Sequence, residues 1–224
     1  MEREIDLKEI SDGKLYDVND MVKAGCDDCR GCSACCQGMG ESILLDPLDI
    51  YRLTVHLECT FEQLLETCVE LHVVDGIILP NMKMVGKDER CAFLNENGRC
   101  NIHAIRPGIC RLFPLGRYYG DDGGFQYFLQ IHECKKELKT KVKVRKWLDT
   151  PDLKRNEAYI CQWHDFRKNL QKILENMKQD VLVKKVNMYV LEQFFQKPYD
   201  GTKDFYDQFE LRLAKAKRYV GIAG

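Results

Sequence analysis

Five cysteines occur within eleven residues, Cys26-x2-Cys29-x2-Cys32-x2-Cys35-Cys36, and Cys91, Cys100, Cys110 and Cys134 answer them downstream. Nothing else in the chain constrains its fold as tightly. Thiolates two residues apart can turn their sulfurs toward one point, which is what coordination of a metal needs. With 12 cysteines in 224 residues, a disulfide framework is the competing explanation, and the choice between them turns on the redox compartment.

Met1 to Ile10 (MEREIDLKEI) is charged and has no apolar stretch of the kind a secretory signal carries. No apolar run approaches the roughly 20 residues of a membrane span. A cytoplasmic location is therefore expected, where thiols stay reduced, and the cysteines point to metal rather than to disulfides. A composition of 45% hydrophobic and 31% charged residues is that of an ordinary globular protein. Its length suits one generous domain or two small ones.

The formal net charge of -1 conceals an asymmetry. From Lys135 onward there are 21 Lys and Arg against 12 Asp and Glu, leaving 13 against 23 before it. Eleven of the twelve cysteines lie in the acidic part. Composition thus proposes a seam near residue 140: a cysteine-cluster metal-binding domain over 1–140 and an α-helical region over 141–224. The basic tail reads as a solvated helical surface that balances its acidic neighbour. Nucleic-acid binding is disfavoured, because the Lys and Arg residues form no stripe. A protein partner or substrate remains open.

Local signals predict an α+β fold, in which a small metal-organised cysteine domain of short hairpins and helices precedes a C-terminal helical cover. Residues 1–25 carry weak signals and read as an arm. Asp46-Pro47 reads as a helix start, with Asp46 capping and Pro47 at a position that needs no N–H. Thr60 with Gln63 forms a capping box, and the helix is expected to continue through Leu64, Leu65, Cys68 and Leu71. Asp75-Gly76 joins the β-rich runs His72–Val74 and Ile77–Leu79 in a hairpin. Asn97-Gly98 does the same between Cys91–Leu94 and Arg99–Ile102, folding Cys91 back toward Cys100. Residues 124–132 form a further strand. Three helical stretches follow, from Thr150 to about Lys178, Asp180 to Gln196 and Thr202 to Val220. Their aromatic residues (Trp163, Phe166, Phe194, Phe195, Phe205, Tyr206 and Phe209) are expected in a core.

Cysteine thiolates suit zinc and iron–sulfur clusters alike. A structural zinc site shows two short pairs divided by a spacer. Three successive two-residue gaps instead resemble a loop that wraps a cubane cluster, without the ferredoxin finish of a fourth cysteine followed by proline. Gly31 and Gly38 relax the backbone there. Neighbouring side chains diverge in most backbone conformations, so Cys35 and Cys36 are expected to serve two centres, or one to ligate while the other packs. Cys26 reads as peripheral, and Cys59 and Cys68 as small buried hydrophobes. His103, three positions after Cys100, is either a ligand or a hydrogen-bond donor to a ligating sulfur. His132 is a weaker candidate, and His56, His72 and His164 default to structural roles. Arg106, Arg111 and Arg117 bring positive charge near the thiolates and could instead hold an anionic cofactor group.

The cysteines together with Gly98-Arg-Cys100-Asn-Ile-His103 and Arg106-Pro107-Gly-Ile-Cys110-Arg111-Leu-Phe113-Pro114 resemble the YkgJ-type cysteine-cluster family, described as a zinc- or iron-chelating domain with a CxxCxxCC signature. The resemblance covers about residues 26–136. It implies metal ligation by Cys29, Cys32, Cys35, Cys36, Cys91, Cys100, Cys110 and Cys134. His103, Arg106, Pro107 and Arg111 would be signature residues, and Cys26, Cys59, Cys68 and Cys161 fall outside the pattern. Flagellin lysine N-methylases carry a related cysteine domain and use S-adenosylmethionine, but no glycine-rich nucleotide loop is evident here.

The leading expectation is one or two iron–sulfur clusters, serving electron transfer or forming part of a protein-modifying enzyme. A structural zinc module is the alternative, and S-adenosylmethionine-dependent methylation of protein lysine is a third. The sequence names no catalytic base or nucleophile.

Overall fold

The computed structural model of the protein describes residues 7–29, 32–120, 123–136 and 139–222. The order begins with α1 (Leu7–Ile10), β1 (Ser11–Tyr16) and β2 (Met21–Gly25), then two 3-10 turns, Asp27–Cys29 and Ala34–Cys36. Helices α2 (Pro47–Leu57) and α3 (Phe61–Thr67) precede β3 (Val69–Val74) and β4 (Ile77–Met82). Short strands β5 (Met84–Val85) and β6 (Arg90–Cys91) lead to the 3-10 turn His103–Ile105 and α4 (Gly108–Leu112). Strands β7 (Leu115–Tyr119), β8 (Phe125–Gln130) and β9 (Thr140–Lys143) come next. Then follow α5 (Val144–Leu148), α6 (Leu153–Glu175), α7 (Asp180–Leu191), the π-turn Glu192–Gln196 and α8 (Phe205–Val220). The fold is α+β, with small separate sheets. Among the described residues no helix is long and apolar enough to cross a membrane.

Contacts divide the chain into two units, each assembled from two stretches: residues 1–40 with 84–156, and residues 41–83 with 157–224. This division and the compositional seam near residue 140 follow different lines. The first unit contains the cysteine run and its downstream partners. Its three-stranded antiparallel sheet has the order β1-β8-β7, with Tyr16 opposite Tyr127 and Leu115 opposite Leu129. Strand β2 pairs with β9, from Met21 opposite Lys143 to Gly25 opposite Thr140. Side chains alternate faces along a strand, so Val22 and Ala24 of β2 and Tyr127 and Leu129 of β8 point inward. With Leu112, Leu115, Val144 and Leu148 they form a mainly aliphatic core. Residues 11–25 are thus strands rather than an arm. Their polar sequences (SDGKLY, MVKAG) carry little intrinsic β signal, and pairing with β8 and β9 decides their conformation.

The second unit begins helices where the sequence marks them. The Asp46 and Asp49 side chains each accept a backbone N–H of the other, at 2.9 and 3.1 Å, and Pro47 opens α2. Thr60 and Gln63 repeat the device on α3. That helix stops at Thr67 instead of running on to Leu71. The Asp75-Gly76 turn, with both residues at positive φ, aligns β3 with β4 over six residue pairs. Leu71 belongs to that ladder. Buried Tyr159, Trp163, Phe166, Phe194, Phe195, Phe205 and Phe209 form the aromatic core. Buried Asn187 ties α7 to the hairpin: its Oδ1 accepts from Ile78 N at 2.7 Å and its Nδ2 donates to Gly76 O at 3.1 Å.

Candidate metal centre

The N-terminal arm of the site starts where β2 ends. Cys26, next after Gly25, is 4% exposed. The 3-10 turn Asp27–Cys29 places Asp27 and Cys29 at φ values of 52° and 56°, a region that non-glycine residues rarely adopt. It brings the Cys29 sulfur to 3.6 Å from that of Cys26. Cys32 N donates to Cys29 O at 3.0 Å, and Cys36 N to Ser33 O at 2.9 Å, closing successive turns. Gly31 lies outside the described residues, whereas Gly38 takes the left-handed conformation at φ 66°.

The second arm is fixed to the first by β-bridges. Gln37 bridges Arg90 in antiparallel sense, and Gly38 N donates to Glu89 O at 3.0 Å. In that register the positions next along are Cys36 and Cys91. On its other side Cys91 pairs with Met84. A further bridge joins Leu94 to Cys100, so the chain reverses between the two cysteines. Asn95 organises the reversal: its Oδ1 accepts from Asn97 N at 3.0 Å and Arg99 N at 2.9 Å. Its Nδ2 donates to Asn101 Oδ1 at 3.0 Å, and Arg90 Nη2 donates to its carbonyl oxygen at 3.0 Å.

These turns join the two arms electrostatically. Burial, then the neighbouring Cys26 thiol, pushes Cys29 up to about 12. A hydrogen bond from Cys36 brings Cys35 down to about 7, and the same bond, followed by burial and the charges of Cys35, Cys91 and Cys100, raises Cys36. Burial raises Cys100 against the opposing pull of the Ile102 N–H and of Arg106 and Arg99. Cys26, Cys29, Cys35, Cys36, Cys91 and Cys100 therefore form one network of interacting thiols. Cys35 and Cys36, consecutive on the Ala34–Cys36 turn, act on each other, lowering Cys35 and raising Cys36.

A guanidinium stands among them. The charge of Arg106 acts on Cys29, Cys35 and Cys100. Its Nη1 lies 2.7 Å from His103 Nε2, and its buried Nε has no hydrogen-bond partner among the described residues. Arg111 is buried and donates to the backbone, through Nη1 to Asp149 O at 3.0 Å and through Nη2 to Ala104 O. Arg117 lies over the Phe125 ring, 5.4 Å from its centroid. Cys32, Cys110 on α4 and Cys134 beyond β8 are not joined to the network by these interactions. Cys59 and Cys68 belong to the second unit, where each thiol is raised by burial.

All twelve cysteines stand as thiols. Among the described residues no three His, Cys, Asp or Glu side chains have the spacing of a single-ion site. The donors suit a soft metal: half-buried sulfurs from two stretches, with a cation whose buried Nε lacks an acceptor among the described residues. Two parts of the arrangement carry no signal in the sequence. They are the Cys26–Cys29 contact, which the two-residue gap permits, and the Gln37–Arg90 bridge.

Thiols gathered around a guanidinium define a class, the cysteine-rich metal-chelating domains. Residues 28–141, just over half of the chain, match the CxxCxxCC family, whose description reads "Putative zinc- or iron-chelating domain". The chain belongs to that family. No curated protein and no solved structure matches it.

Proposed function

We propose that the cysteine unit holds iron as one or two iron–sulfur clusters, serving electron transfer or forming part of a protein-modifying enzyme. The supporting observation is the N-terminal cysteine run, whose three successive two-residue gaps have the spacing of a loop that wraps a cluster. Arg106 supports the same reading, since a cluster with several thiolates is anionic and a half-buried guanidinium offsets that charge. Bound in this way, a cluster would supply one-electron redox chemistry. Cys29, Cys35, Cys36, Cys91 and Cys100 would hold it, Cys32, Cys110 and Cys134 are the further candidates, and Arg106 would face its sulfurs. Reduced thiols fit a cytoplasmic setting.

One observation favours zinc as a second reading: Cys26 and Cys29 stand as close together as two thiolates on a single ion. Purification without air, with iron, zinc and acid-labile sulfide analysis and an absorption spectrum, separates the two. Iron and sulfide together with visible absorption are expected. A colourless protein with stoichiometric zinc and no iron would overturn the cluster. A magnetic spectrum of the reduced cluster that shifts on adding S-adenosylmethionine would support methylation, and an unchanged one would remove that support.

A further inference from the structure

We propose that Cys26 is a metal ligand, paired with Cys29 on one ion, so that the centre extends beyond the cysteine pattern of its family. The inference rests on reading this unit as a metal centre and identifies ligands within it. The family match begins at residue 28, which leaves Cys26 outside.

Four observations converge on the pair. A tetrahedral ion with metal–sulfur bonds of about 2.3 Å holds two thiolates roughly 3.8 Å apart. The Cys26 and Cys29 sulfurs are 3.6 Å apart before any ion is considered. Thiolates on different irons of a cubane sit farther apart, so the distance, which also suits an S–H···S hydrogen bond, fits a shared ion, whether alone or as one iron of a two-iron cluster. Second, the two-residue gap is the commonest chelating spacing for thiolates. Third, Cys29 and Asp27 both take the left-handed conformation, which turns Cys29 back on Cys26. A non-glycine residue at such φ values requires surroundings that fix it. Fourth, Cys26 is held at the end of β2, where Gly25 pairs with Thr140, so its sulfur has a defined position.

The pair also has a place in the network. Cys35 is the next thiol whose charge reaches Cys29, while Cys36 faces Cys91 and Cys100. Charge thus couples the Cys26–Cys29 pair to Cys35.

Cadmium-113 loaded into the full-length apoprotein under reducing conditions reads this directly, through its scalar coupling to cysteine β-protons. One cadmium resonance correlated with the β-protons of both Cys26 and Cys29 is expected in the unmutated protein. Cys26→Ser should weaken cadmium binding at least about tenfold, the loss that removal of even an indirect partner causes. Cys59→Ser should leave it unchanged. Cadmium correlated with Cys29 but not with Cys26, at undiminished affinity in Cys26→Ser, would overturn the pair while leaving the metal centre standing. A disulfide between the two in the loaded protein would also overturn it. Cadmium bound by no cysteine would remove both the pair and the reading beneath it.

Discussion

Arg106 donates through Nη1 to Nε2 of His103, and a guanidinium has no lone pair with which to accept. His103 therefore accepts at Nε2 and keeps its ring proton on Nδ1. Spacing alone left His103 between ligand and hydrogen-bonding neighbour, and this contact supports its holding Arg106 among the thiols. We expect His103→Gln, which keeps an acceptor, to retain metal stoichiometry. His103→Leu should weaken binding by about 10–100-fold, the usual effect of losing a group that orients ligands. Cys36→Ser should reduce bound metal outright. Elemental analysis and a chelator competition distinguish the three. At this scale the sequence revealed which residue types carry the chemistry, because thiol spacing is a property of neighbours. It did not reveal that Cys35 and Cys36 act on each other, since rotamers and the tight Ala34–Cys36 turn decide that. Nor did it reveal the role of Arg111, whose partners Ala104 and Asp149 come from separate segments.

Among the elements, the hairpin between Cys91 and Cys100 depends on Asn95 as much as on the Asn97-Gly98 turn. Asn95→Ala removes the acceptor of two backbone N–H groups, a loss of about 1–3 kcal/mol. Metal affinity should fall with it, because the two thiols lose their fixed separation. Asp46→Ala should destabilise α2 by about 1 kcal/mol through its capping box and leave metal content unchanged. Thermal denaturation with metal titration on both variants checks the contrast. Equal loss of metal in both would show that the hairpin has no special part. Helix starts at Asp46 and Thr60 were legible because a cap is built from adjacent residues. The β2–β9 pairing was not, because its two strands lie more than a hundred residues apart and neither has a strong propensity. The overextension of α3 has the same origin: Leu71 suits a helix locally, and only pairing with Pro80 places it in a strand.

Across the whole molecule the two units are stabilised differently. The second has a core of stacked and edge-on aromatic rings, whereas the first has a smaller, mainly aliphatic core beside its cysteine thiols. Metal binding that organises ligands supplies folding free energy to the part that contains them. The two tryptophans report on the units separately: Trp147 packs on the aliphatic core and donates to Leu112 O at 3.3 Å, while Trp163 is buried among the rings. In Trp163→Phe protein a strong chelator should shift the Trp147 emission to the red. In Trp147→Phe protein the Trp163 emission should stay in place. Emission unchanged in both would mean that the first unit holds its fold without metal.

X-ray absorption at the edge of the bound metal tests most directly the convergence of thiolates from both stretches on one centre. We expect a shell dominated by sulfur, altered in Cys36→Ser and in Cys100→Ser alike. A shell of nitrogen and oxygen, or one that changes with residues of a single stretch only, would contradict it.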